Sequence, residues 1–135
     1  IVAMVLVAHS ADARREYRWH TAACCVIGAA GLLVSVGFHA DVVLAMAGMT
    51  LCTMGIMSAL PIFWSNPTAI LGGAAAAVGI AFINSVGNLA GFAIPWIIGL
   101  IKDATHSTDA GLHLLALLMV LGAVAIVALR KPAAP

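Results

Sequence analysis

The chain has 135 residues, of which 64 % are apolar and only 8 % charged, with a mean hydropathy of +1.14. Charged residues make up about a quarter of an ordinary soluble domain, so this composition excludes one and predicts a polytopic membrane protein. A formal net charge of +1 argues against a nucleic-acid partner.

Residues 1–8 form an apolar octet that is too short to cross a bilayer and starts at Ile1 rather than methionine. The octet predicts the end of a truncated transmembrane helix, and the chain reads as a fragment. Nothing basic precedes it, so it makes a poor signal peptide. Segment 9–20 carries Asp12, Arg14, Arg15, Glu16 and Arg18, a charge density that the bilayer core rejects, and it predicts a cytoplasmic loop. Four transmembrane helices follow within 21–129. The first covers about 21–38, and a tight turn at His39, Ala40 and Asp41 leads to the second, at about 42–63. On that second span Gly48, Cys52, Gly55 and Ala59 recur at helical spacing, with Met46, Met54 and Met57 broadly opposite. Its small face therefore packs on a neighbouring helix. Pro61 and Pro67 bracket Phe63 and Trp64, and prolines with aromatics at that depth mark an exit from the membrane.

The third span, about 69–101, exceeds a hydrocarbon core of about 30 Å at roughly 1.5 Å per residue, and so reads as long and tilted. On a helical wheel Gly73, Ala77, Ala81, Asn84, Gly87, Asn88, Gly91, Pro95 and Gly99 form one stripe, with Phe82, Val86, Leu89 and Trp96 on the other side. A lipid-facing helix has no use for such a stripe, which predicts contact with protein or a water-filled cavity. Asn84 and Asn88, one turn apart, each offer two donors and an acceptor near mid-membrane. Interhelical hydrogen bonding is the structural alternative for the two amides. Ser85 points roughly 100° away from Asn84. After a polar loop that includes Lys102, Asp103 and His106, the fourth span covers about 112–129, and 130–135 is a cytoplasmic tail.

With alternating spans, Arg14, Arg15, Arg18, Arg130 and Lys131 fall on one side and only Lys102 on the other. By the positive-inside rule, the 9–20 loop and the C-terminus are cytoplasmic. Cys24, Cys25 and Cys52 lie inside spans with no metal or disulfide spacing, and the five histidines show no metal pattern either. No cofactor is predicted. A membrane enzyme needs reacting groups clustered together, and none are, so the chain is not read as an enzyme. A small four-span interaction or assembly protein remains the alternative to a transporter.

The run from Phe63 to Thr68, the alanines 75–77, the segment Asn84-Ser85-Val86-Gly87-Asn88-Leu89-Ala90-Gly91-Phe92, and then Pro95, Gly99 and Asp103 resemble the last third of the major facilitator superfamily. The resemblance is to its anion:cation symporter branch, the permeases for tartrate, phthalate and hexuronate. The loop from His9 to His20 is similar to that branch's loop between helices eight and nine. His106 stands where the family often has glycine. The resemblance implies an all-α bundle that is a partial C-terminal half of the fold, helices nine to twelve plus the end of eight. It further implies a symporter of small organic anions in the bacterial inner membrane, working by alternating access, with the proton as coupling ion. Asn84, Asn88 and Ser85, with Phe63 and Trp64 at a cavity mouth, are then the substrate-binding candidates. No charged residue lies mid-span, so the proton carrier and the anion-binding cation are expected in the missing N-terminal half.

Overall fold

The computed structural model of the chain describes residues 1–70 and 73–128; of 66–70 and 74 only the backbone is described. The described residues form five α-helices: α1 (Val2–Arg14), α2 (Tyr17–Gly37), α3 (Val42–Ile70), α4 (Gly73–Thr105) and α5 (Asp109–Ala128). Four stretches are long and apolar enough to cross a membrane: Tyr17–Gly37, Val42–Ser65, Ala75–Thr105 and Asp109–Ala128. No strand occurs among the described residues, and the predicted all-α, four-span bundle stands. The predicted 130–135 tail lies outside the described residues.

Segment 9–20, predicted as a loop, is mostly helical. Helix α1 runs on to Arg14 and ends where Arg15 turns left-handed (φ 50°). There the Glu16 N–H reaches back to the Ala11 carbonyl and the Arg15 N–H to that of Asp12, at 3.2 Å each. These bonds satisfy carbonyls that the helix end would leave open. At the other end of α2, Asp41 accepts from the N–H groups of Val43 and Leu44 at 2.9 and 3.2 Å, capping α3. Pro61 and Pro67 do not end α3, which passes through both to Ile70. Proline removes one donor and leaves the rest of the ladder intact, and burial of Ile62, 1 % exposed, holds the segment in place.

The core is the packing of α2 against α3, and α5 covers the other side of α2. The small face predicted on the second span meets a matching face on α2. A methyl group added at Gly48 would lie 2.6 Å from the Ser35 nitrogen and 2.7 Å from the Gly31 oxygen. One at Gly31 would lie 2.5 Å from the Cys52 nitrogen, and one at Gly55 2.6 Å from the Cys24 oxygen. The two backbones therefore touch, which is how helices gain van der Waals energy in lipid, where no hydrophobic drive separates helix from tail. Ala29, Leu32, Cys52 and Ala116 complete the core, with Leu112, Leu115 and Met119 packed against it. Helix α4 stands apart, touching α3 and α5 sparsely.

Candidate functional site

Asn84 and Asn88 sit on consecutive turns of α4, both exposed. An i, i+4 spacing puts the two amides on one face, so that they can act on one ligand. Gly87, Gly91 and Gly99 on the same stripe open onto free space within the described residues, so no neighbouring described helix covers it. Pro95, inside α4, lacks the N–H that would bond the Gly91 carbonyl. The stripe thus carries two amides and one carbonyl freed from the helical ladder. Ser85 is differently occupied: its hydroxyl donates to the Ala81 carbonyl at 2.8 Å. A serine turned back on its own helix contributes less to an external ligand than the amides do.

Phe63 and Trp64, half-buried near the end of α3, meet edge to face with ring centroids 5.4 Å apart and planes at 75°. Such a pair is a rigid apolar wall. The candidates therefore fall into two groups on two helices, the amides on α4 and the aromatics on α3. In chemical terms the α4 face supplies neutral hydrogen-bond donors and acceptors without fixed charge. Such a face can hydrogen-bond a polar ligand but balances no charge on it. Among the described residues no group of three His, Cys, Asp or Glu side chains could hold a metal ion.

Two features escaped the sequence reading. A groove of about 340 Å³ lies along α3, lined by Ile1, Met46, Met49, Thr50, Thr53 and Met57, with Met54 beside them. The methionine face was legible from its spacing, and Thr50 and Thr53, three residues apart on it, were the overlooked signal. Their hydroxyls donate to the Met46 and Met49 carbonyls at 2.8 and 2.9 Å. The second feature is a set of side-chain bonds from the first turn of α2 to α5 and to α1. Arg18 donates from Nε to the Ile126 carbonyl at 3.2 Å and from Nη2 to that of Val127. His20 Nδ1 donates to the Glu16 carbonyl at 2.6 Å, leaving Nε2 to accept from the Ser10 hydroxyl at 3.1 Å. The start of α2 and the end of α5 therefore lie at the same end of the bundle.

Known proteins resemble this chain over nearly all of its length. A protein of Agrobacterium vitis, provisionally named a tartrate transporter, is 42 % identical over 131 residues, 97 % of this chain and 29 % of its own. The quinolone resistance transporter of Acinetobacter baumannii is 34 % identical over 122 residues, 90 % of this chain and 28 % of its own. The protein NicT of Pseudomonas putida, provisionally named a metabolite transport protein, is 32 % identical over 129 residues, 96 % of this chain and 30 % of its own. The chain thus spans less than a third of the length of these relatives. No family profile and no solved structure matches it. The relatives, all named as transporters, bear out the resemblance to a major facilitator transporter, and the shared length is consistent with a C-terminal fragment of one.

Proposed function

We infer that this chain, as part of a major facilitator of the carboxylate-permease branch, serves a secondary active symporter of small organic anions such as carboxylates or sugar acids. The supporting observation is the amide pair of Asn84 and Asn88, one turn apart on one face midway along a membrane-length helix. A polar group at membrane depth is expensive, and one that faces a pathway is repaid by ligand contact. In this reading the two amides hydrogen-bond the bound anion, the Phe63–Trp64 pair walls the cavity mouth, and Ser85 is secondary. Alternating access comes from one helical half rocking against the other. The proton is the coupling ion, and its carrier and the anion-binding cation reside outside this chain. The setting is the bacterial inner membrane with a cytoplasmic C-terminus.

The test is uptake and binding of labelled tartrate by the complete transporter in proteoliposomes under an inward proton gradient. Asn84→Ala and Asn88→Ala should leave membrane abundance near wild type, because interhelical hydrogen bonds in lipid are weak. Each should weaken tartrate binding about ten- to a hundredfold, the value of a lost hydrogen bond to a charged group. Val86→Ala, on the opposite face, should bind normally. Wild-type binding by both asparagine variants, or their loss from the membrane, would make the amides interhelical glue. Export of a quinolone without tartrate uptake would replace the anion reading with the drug-transport activity named for the Acinetobacter relative.

A further inference from the structure

Arg18 is placed against the local rule for its own helix. It is the second residue of α2, and the N-terminus of a helix carries the positive end of the macrodipole, where a cation is unfavourable. Its guanidinium instead reaches a different helix, forking onto the Ile126 and Val127 carbonyls of α5. A planar fork meets two successive carbonyls in a way that a lysine point charge cannot. Two residues further along α2, His20 receives the Ser10 hydroxyl from α1 while its other ring nitrogen is held by the Glu16 carbonyl. Side chains at one turn of α2 thus reach both α1 and α5.

We propose that Arg18 is a positioning residue that clasps the Ile126–Val127 turn of α5 to the start of α2, so that α2 and α5 move as one body. This rests on the transporter reading for its consequence alone: without the clasp the body loosens and turnover slows, while the binding face on α4 is untouched. The experiment compares wild type, Arg18→Lys and Arg18→Gln in the complete protein in lipid nanodiscs and in proteoliposomes. Amide hydrogen exchange over 121–128 should speed up about tenfold in Arg18→Gln, the value of one charge-assisted hydrogen bond, and less in Arg18→Lys. Exchange in α3 should not change. In uptake assays with labelled tartrate, Arg18→Gln should lower the maximal rate about tenfold and leave KM within about twofold, with partial rescue by lysine.

Unchanged exchange over 121–128 in Arg18→Gln overturns the clasp. So does exchange that rises equally in α3, which would mark general loosening, or a KM that rises while the maximal rate holds, which would place Arg18 on the substrate. If the wild-type protein takes up no tartrate, the substrate reading fails instead, and the exchange result still decides the clasp.

Discussion

At the residue scale, the tightest constraint lies where α2 and α3 share backbone contact. Gly31 and Gly48 face each other so closely that any side chain must push backbone, which cannot rotate away as the end of a side chain can. Gly48→Val should therefore destabilise the bundle by about 1 to 3 kcal/mol, the usual cost of overpacking. Titrating the purified protein in mixed micelles with a denaturing detergent, while following helix content, measures it. Gly122→Ala in α5 is the matched control. An added methyl group there meets nothing within 4 Å, so it should be neutral or stabilising by up to about 1 kcal/mol through helix propensity. Equal losses from both substitutions would show that the α2–α3 contact is not the limiting one.

At the element scale, the α4–α5 connection turns on His106, whose φ is 56°, in the left-handed region. Its N–H bonds the Lys102 carbonyl at 2.8 Å and closes α4. Ser107 then accepts from the Asp109 N–H at 3.1 Å as α5 begins. Histidine adopts that backbone at a cost glycine does not incur. His106→Gly should raise stability by about 1 kcal/mol, read as a higher thermal midpoint in detergent, whereas His106→Ala should give no gain. A midpoint that falls with glycine would mean that the imidazole itself holds the turn. The same connection brings Gly111 against Ile98, a contact between α4 and α5 made by a flexible side chain.

At the scale of the whole molecule, the fork of Arg18 on α5 sets two helix ends side by side, as an even number of crossings between them requires. The basic residues then concentrate at that end, which the proposed orientation puts in the cytoplasm in keeping with the positive-inside rule. A single cysteine replacing Ala13, with Cys24, Cys25 and Cys52 changed to alanine, should be shielded from an impermeant reagent added outside cells. One replacing Ser107 should be labelled. Reversed labelling at both positions would invert the orientation, and labelling of both from outside would break the alternation of spans.

Much of this protein was legible before any coordinates. Length and apolarity alone determine the four spans, because in a bilayer every backbone polar group must be satisfied within its own helix. Helical periodicity picked out the packed face of Gly48, Cys52 and Gly55, since a period of 3.6 is a local property of the chain. Locality is also where that reasoning stops. That the partner of Gly48 is Gly31, that α3 continues through Pro61, and that Arg18 serves α5 rather than its own helix all depend on residues distant in sequence. Only tertiary packing decided them. A proline or an arginine carries its local preference everywhere, and which preference is overridden depends on the neighbours the fold supplies.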